Sequence, residues 1–315
     1  MSITRADSAK NPERTGSVGL VLPLIFVALY GSAFPAAKVG LSYSGVFEFL
    51  AIRYALVAVL LSIVAVALGA PWSRKPRDLL HIGVAGLLMI GIFNASAFAS
   101  VALGVPPAVC ALIVALQPIV VALGAGPLLG ERVSGQQWLG LSLGVLGVYF
   151  VVSRDLLLDA SYIRGLALSF FALVALSAGN LYQKKFCAHM DVFTGGCAQN
   201  VASAAAMLVA MSVFGAHNVH WTSSFVISLL WMTVVVSVGA VSILYVMIRR
   251  GKVSVVASIF YLVPVSAAIG AYLLFGQVPT GVQLLGAFVA AAGVAMVVRR
   301  PVGERDQLQR SQGGR

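Results

Sequence analysis

The chain has 315 residues, of which 60% are hydrophobic and only 10% are charged, with a mean hydropathy of +0.97. A soluble domain carries about 25% charged residues, so this composition excludes an ordinary soluble enzyme and indicates a polytopic, all-α integral membrane protein. The formal net charge of +11 does not indicate a nucleic-acid partner, because no basic helix or basic patch with interleaved aromatic residues lies outside the apolar runs.

Apolar runs of about 17–25 residues, each long enough to cross a hydrocarbon core of about 30 Å, follow one another along nearly the whole chain. The first run is long and further runs follow it, so we read it as a membrane helix and not as a cleaved signal peptide. In chain order we predict ten transmembrane helices, at 19–40, 47–69, 79–103, 108–129, 137–152, 165–184, 193–214, 225–247, 253–275 and 282–298. The polar ends, 1–18 and 299–315, are predicted to be short tails.

The basic residues are distributed unequally between the two faces that ten alternating spans create. Seventeen of the 21 Lys and Arg residues fall on the face of the two termini, while Lys38, Arg154 and Arg164 fall on the other face and Arg53 lies inside a span. Lys and Arg accumulate in the cytoplasmic loops of membrane proteins. The pattern therefore predicts a multi-pass protein of the cell inner (plasma) membrane with both termini in the cytoplasm.

An internal repeat appears when the sequence is shifted by 146 residues, which places 109–152 on 255–298 without a gap and with 18 identities in 44 pairs. Pro118 coincides with Pro264, and five pairs of glycines coincide as well. The chain thus reads as a duplicated unit of five spans, at 19–152 and 163–298. Because five is odd, the second unit enters the membrane from the opposite side, which predicts two inverted repeats with a substrate site near their interface.

The two matching prolines fall near the middle of predicted spans four and nine. A proline lacks the N–H group and clashes with the carbonyl four residues earlier, so Pro118 and Pro264 each free one backbone oxygen. In lipid such an oxygen needs protein, water or a ligand as its partner. We predict that both helices line a transport path and act in gating, with a simple packing kink as the alternative.

Few ionisable residues lie within the predicted spans. Arg53 is predicted to bind an anionic group of a substrate, because a charge at this depth is costly and tends to face the bundle interior; a structural pair with Glu48 is the alternative. Glu48 is the lone acidic residue in a span and the candidate for proton coupling, with an interfacial carboxylate as the alternative. Glu131, at the end of span four, is read as a gate element or a solvated helix end.

Uncharged polar residues supply the other candidates for substrate binding, although amide side chains also serve as contacts between helices. The predicted set is Tyr30, Ser32, Asn94, Gln117, Asn180 and Tyr261. No metal or other cofactor is expected, because the outer-loop pair His217 and His220 lacks a nearby third ligand. Three cysteines, Cys110, Cys187 and Cys197, imply no disulfide framework.

The repeated motif itself carries a family resemblance. It reads A-x-x-x-L-x-P, a glycine-rich stretch, G-E, G-x-x-x-x-G and a final G-V, and it occurs at 111–148 and again at 257–294. This pattern, with the opening YGSAFPAAK at 30–38 and the arginine in helix two, resembles the EamA-like domain of the drug/metabolite transporter superfamily. One departure is Gln277, which stands where the second copy would have the glutamate of G-E.

The resemblance implies a ten-helix permease in the lipid bilayer that exports small metabolites, amino acids or drug-like molecules by alternating access. An integral membrane enzyme is disfavoured, since the spans offer no nucleophile and base pair. A sensor or scaffold that transports nothing has the same composition and stays as the alternative.

Overall fold

The computed structural model describes residues 14–73, 75–129, 135–152, 160–215, 217–243, 247 and 262–298. Every regular element in these ranges is a helix. In chain order they are α1 (Arg14–Gly31), α2 (Ala33–Leu41), α3 (Val46–Ala67), α4 (Pro76–Gly86), the π-helix π1 (Leu87–Ile92), α5 (Phe93–Ala102), α6 (Pro107–Val114), α7 (Gln117–Leu129), α8 (Gly135–Val152), α9 (Ala160–Phe186), α10 (Val192–Phe214), α11 (Ser223–Leu230), the π-helix π2 (Trp231–Ala240), α12 (Val263–Phe275) and α13 (Gly281–Val298).

Several of these helices join end to end into segments that are long and apolar enough to cross a membrane. The described residues contain seven such segments, at Val21–Leu41, Val46–Ala67, Pro76–Ala102, Pro107–Gly124, Ala160–Phe186, Val192–Phe214 and Ser223–Ile243. Three shorter apolar helices cover Trp138–Val151, Val263–Phe275 and Gly281–Met296. Each predicted span overlaps one of these ten segments. The chain is therefore a multi-pass membrane protein, and the part of it that the structure describes is all-helical.

Predicted helix ends differ from the observed ends where polar residues continue a helix. Helix α9 begins at Ala160, five residues before the predicted start of its span, and Arg164 lies in its first turns. The Nε atom of Arg164 donates to the carbonyl of Ala160 at 3.4 Å. A reading of apolar runs stops at the charge, whereas the helix extends past the apolar core into the polar interface.

Four of these segments are interrupted, namely Val21–Leu41, Pro76–Ala102, Pro107–Gly124 and Ser223–Ile243. Ser32 separates α1 from α2, residues 115 and 116 separate α6 from α7, and π-helices occupy the middle of the other two segments. Pro118 is the second residue of α7 and Pro264 the second residue of α12. Each proline therefore stands in the first turn of a helix, where its missing N–H has no intrahelical partner to lose. Pro118 therefore follows the break between α6 and α7 and does not bend one continuous helix, whereas the residues immediately before Leu262 lie outside the described ones.

Loop contacts define the two faces of the bundle. At the first, which we call the Glu48 face, the segments 42–45 and 217–222 are joined, since the His220 N–H donates to the Tyr43 carbonyl at 2.9 Å. At the second, the Cys187 face, the segments 68–73 and 187–191 meet, and the neighbouring Thr194 hydroxyl donates to the Pro71 carbonyl at 2.9 Å.

The closest helix contact joins α8 and α13 through glycines. A Cβ atom on Gly147 would collide with the backbone of Gly286 and Ala290, and one on Gly293 would collide with the backbone of Gly140 and Gly144. Small residues let membrane helices approach backbone to backbone, where dispersion and packing stabilise them. The Gln136 amide also donates to the Met296 carbonyl at 3.0 Å, which shows that the two helices are antiparallel.

Candidate functional site

Arg53 lies in the second turn of α3, with 6% of its surface exposed. Its Nη2 atom donates to the Ser237 hydroxyl in π2 at 2.9 Å. Within the described residues, Nε and Nη1 have no hydrogen-bond partner although both are buried. A buried charged group that keeps unused donors is costly unless an anion or water satisfies them. These two atoms are therefore the strongest local indication of a ligand.

Two tyrosines surround this guanidinium. Its Cζ atom lies 5.9 Å from the centre of the Tyr54 ring, and Tyr54 itself is 1% exposed. Both Tyr54 and Tyr30, on α1, interact electrostatically with Arg53. Aromatic faces attract cations and also provide apolar surface for the body of a small molecule. Arg53 thus sits where α1, α3 and π2 converge.

Both π-helices supply polar backbone groups to this region. In π1 the Ile90 carbonyl accepts from the Tyr54 hydroxyl at 2.8 Å and from the Asn94 amide at 2.9 Å. In π2 the Ser237 hydroxyl donates to the Met232 carbonyl five residues earlier at 2.9 Å. Since π-helices are rare and frequently occur at functional sites, their joint contact with the Arg53 and Tyr54 pair supports a binding site here.

Ser32 extends the cluster toward the break between α1 and α2. Its hydroxyl donates to the Leu29 carbonyl at 2.6 Å and accepts from the Trp231 indole at 2.8 Å. Among the predicted binding residues, Tyr30 interacts with Arg53, Asn94 shares the Ile90 carbonyl with Tyr54, and Ser32 is bonded to Trp231 of π2. We call these three residues, with Arg53, Tyr54, Trp231 and Ser237, the Arg53 cluster.

Glu48 does not belong to this cluster. Its carboxylate is 3% exposed and accepts from the backbone N–H of His217 at 2.6 Å, and the His217 Nδ1 lies 3.8 Å away. The alternative in which Glu48 pairs with Arg53 is wrong, because five residues of helix turn the two side chains apart. Glu48 lies in the first turn of α3, and the 217–222 segment contacts its carboxylate through the His217 N–H.

The remaining predicted residues lie elsewhere. The Asn180 amide donates to the Leu176 carbonyl of its own helix at 2.8 Å, and Gln117 is the half-buried first residue of α7. Glu131 and Tyr261 lie outside the described residues.

A cavity of about 900 Å³ lies between α6, α12 and α13. Pro264 lines it, together with Ala115 and Leu116 at the break between α6 and α7. Its walls are mainly apolar, and Gln277 and Gln283 add polar groups. Arg53 is not among the lining residues. The structure thus separates two regions that the sequence analysis had treated as one site.

Sequence reasoning missed Tyr54, Ser237 and Trp231. The adjacency of Tyr54 to a membrane-embedded arginine was a usable signal, because a tyrosine in that position can stack on or screen the charge. No such signal exists for Ser237, which is 184 positions from Arg53 and follows no motif.

Known proteins are similar to this chain over nearly its full length. The model of the EamA-like transporter family matches residues 17–153 and again 163–299. A probable terminal-alkyne amino-acid exporter of Streptantibioticus cattleyicolor is 27% identical over 289 residues, covering 90% of this chain and 94% of the relative. A probable amino-acid metabolite efflux pump of Salmonella typhimurium is 27% identical, covering 87% and 92%.

One solved crystal structure of a protein covers 89% of this chain and 96% of its own, with a TM-score of 0.64 and 17% identity. At that identity the match shows a shared fold alone. The family match, in contrast, covers both halves of the sequence and most of its length. The chain is therefore a member of the EamA-like transporter family.

Proposed function

We propose that this protein exports small metabolites related to amino acids, by alternating access, and that Arg53 binds their anionic group. The observation that carries the proposal is the buried guanidinium whose Nε and Nη1 atoms lack partners within the described residues. Carboxylates fit these donors, because charge-assisted hydrogen bonds to arginine are about twice as strong as neutral ones. Two relatives named as amino-acid or amino-acid-metabolite exporters support the substrate class.

The proposed architecture has ten spans in two inverted repeats, at 19–152 and 163–298. The glycine contacts support it, because shifting by 146 residues turns the pair Gly140 and Gly293 into Gly286 and Gly147, which is also a contact pair. The same shift places π1 on 233–238, inside π2. Pairs of contacting helices exchange as well: α4 packs against α9 as α11 packs against α2.

The proposed orientation puts both termini and the Cys187 face in the cytoplasm of a cell with an inner (plasma) membrane, and the Glu48 face outside. Its support is the excess of Lys and Arg on the terminal face. The two tails, 1–18 and 299–315, then lie in the cytoplasm. The proposal includes proton coupling, in which the substrate leaves the cell as protons enter it.

Transport by the purified protein tests this function. The parent protein and Arg53→Ala are reconstituted in liposomes loaded with a panel of radiolabelled amino acids and their N-acyl derivatives. We expect the parent to release a carboxylate-bearing member of the panel. Arg53→Ala should release it no faster than loaded liposomes that contain no protein. Asn180→Ala, which removes a polar side chain bonded within its own helix, is the matched control and should transport at the parental rate. Equal release by the parent and by loaded liposomes without protein would contradict the proposal.

A further inference from the structure

The cavity between α6, α12 and α13 opens toward the bilayer. Its walls are mainly apolar, and none of the described residues that line it is charged. Three lining side chains, Ile269, Leu284 and Phe288, are more than half exposed and belong to the apolar helices α12 and α13. Exposed apolar side chains of a membrane helix contact hydrocarbon. Since these side chains both line the cavity and are exposed, the cavity adjoins lipid.

The cavity extends along α12 over about the depth of one leaflet. Its lining includes Pro264, near the middle of predicted span nine, and continues to Gln277 beyond the end of α12. From Pro264 to the last residue of α12 the helix rises about 17 Å, at 1.5 Å per residue. Half of a hydrocarbon core of about 30 Å is about 15 Å. The length of the cavity therefore matches that of an acyl chain in one leaflet.

The polar end of the cavity lies at the Glu48 face. Gly276 ends α12 in the left-handed conformation, with φ 65°, and its N–H donates to the Tyr272 carbonyl at 2.8 Å. Lys38, in the last turn of α2 before the 42–45 loop, has its Nζ atom 4.5 Å from the centre of the Phe275 ring. Gln277 thus follows the end of an apolar helix at this face, at the level where lipid headgroups meet the hydrocarbon.

Gln277 also supplies an unused hydrogen-bond acceptor. Its Oε1 atom is buried and has no partner within the described residues. The other lining glutamine is engaged, because Gln283 Oε1 accepts from the Thr280 N–H at 2.9 Å. The terminal torsion of a glutamine is broad, so a rotation of the amide can present the Gln277 oxygen to a ligand. A donor on that ligand removes the cost of an unbonded buried oxygen.

We propose that this cavity binds an acyl chain of a phospholipid from the leaflet at the Glu48 face, and that the headgroup of phosphatidylethanolamine donates to Gln277. Its volume of about 900 Å³ is within the range of known ligand pockets. The ammonium of ethanolamine has N–H donors, whereas the nitrogen of choline carries only methyl groups. A ligand that brings a carboxylate into the cavity is disfavoured, because no described lining residue offers a compensating charge.

The test measures lipid binding without transport, so its failure is separate from a failure of the transport function. The full-length protein is delipidated in detergent and titrated with phosphatidylethanolamine or with phosphatidylcholine of the same acyl chains, and native mass spectrometry counts the bound lipids. We expect the parent to bind one phosphatidylethanolamine about tenfold more tightly than phosphatidylcholine, the ratio for one hydrogen bond with a charged donor. Gln277→Leu should bind both lipids equally, with the weaker affinity.

A variant that fills the cavity tests the acyl chain separately from the headgroup. Ala268→Phe places a ring in the cavity and should lower the affinity for both lipids at least tenfold. Leu273→Phe, at an exposed position of α12 outside the lining, is the control and should bind both lipids as the parent does.

Four outcomes would overturn the proposal. These are equal affinities of the parent for the two lipids, a retained preference in Gln277→Leu, parental binding by Ala268→Phe, and release of the bound lipid by a transported carboxylate. The last outcome would assign the cavity to the substrate.

Discussion

The Nη2 atom of Arg53 donates to the Ser237 hydroxyl at 2.9 Å, and this single bond joins the second span to the π-helix of the eighth. It engages one nitrogen of the guanidinium, while Nε and Nη1 are buried without partners in the described residues. Ser237 therefore orients the arginine, and the orientation has measurable consequences.

Replacing Arg53 with lysine should show how much the planar shape of the guanidinium, beyond its charge, contributes to substrate affinity. Arg53→Lys keeps the charge but lacks the planar fork, so it cannot bond Ser237 and an anion at the same time. We expect its apparent affinity for a carboxylate substrate to fall at least thirtyfold, about 2 kcal/mol or more. Counterflow in proteoliposomes measures this, and parental affinity in Arg53→Lys would contradict the bidentate role.

Ser237→Ala should weaken transport less than the arginine variants do. It removes one hydrogen bond to a charged group, worth about 1.5–3 kcal/mol, and leaves the charge in place. Ser237→Thr retains a hydroxyl and should recover most of the parental affinity. Substrate affinity in the two variants is the measurement, and equal loss in both would indicate a packing defect.

The two proline positions should respond alike, with Gln277 as a control. Pro118→Ala and Pro264→Ala each release the fixed φ angle that the proline imposes on the first turn of α7 or α12, so both should slow transport while preserving expression. Gln277→Glu places a carboxylate where the first repeat has Glu131 and should be tolerated. Initial transport rates are the measurement, and a parental rate in both proline variants would show that the two prolines are only structural.

The proposed orientation can be tested at two exposed positions, one on each face of the bundle. In a background without other cysteines, His189→Cys lies on the Cys187 face and Asn218→Cys on the Glu48 face. Intact cells treated with a membrane-impermeant maleimide should label Asn218→Cys alone, and permeabilised cells should label both. Labelling of His189→Cys in intact cells would reverse the proposed orientation.

Cys187 itself should react slowly. Burial, and then the negative charge of Asp78, raise the pKa of the Cys187 thiol above its usual range. A raised pKa lowers the thiolate fraction at pH 7, about tenfold for each unit, so maleimide labelling in permeabilised membranes should accelerate as the pH rises. Asp78→Asn removes the repelling charge, lowers the pKa and should speed labelling at pH 7; an unchanged rate would assign the slow reaction to steric burial alone.

Glycine substitutions inside and outside the α8–α13 contact should differ in their effect on stability. A Cβ on Gly147 would meet the backbone of α13, whereas one on Gly135 would meet open space. Gly147→Val should therefore destabilise the protein by overpacking, about 1–3 kcal/mol or more, while Gly135→Ala should not. Thermal unfolding in detergent compares them, and equal melting temperatures would contradict the tight contact.

Each predicted span overlaps an apolar helix of the described residues, because the thickness of the bilayer sets the length of an apolar run. The two π-helices were not predictable in the same way, since no proline lies within them and side chains from distant helices contact them. Tyr54, for instance, holds a carbonyl of π1 36 positions away. Local patterns do not record contacts of that separation.

Arg53 and Glu48 show the same limit within one helix. Their chemistry marks both as candidates, and the depth of Arg53 in its span is readable from position alone. The cover that the 217–222 segment places over Glu48 is not readable, because it depends on how a loop 169 positions later folds back.

The glycine contact between α8 and α13 also limits how the molecule can move. Two helices that touch backbone to backbone have no side chains between them to yield, so sliding one past the other would separate atoms already in contact. In the proposed alternating access, this contact would stay fixed while the two ends of the molecule move in opposite directions, and the interrupted helices would take up the movement. The helices would then bend at their interruptions, which lie at Ser32, at 115–116 and in π1 and π2.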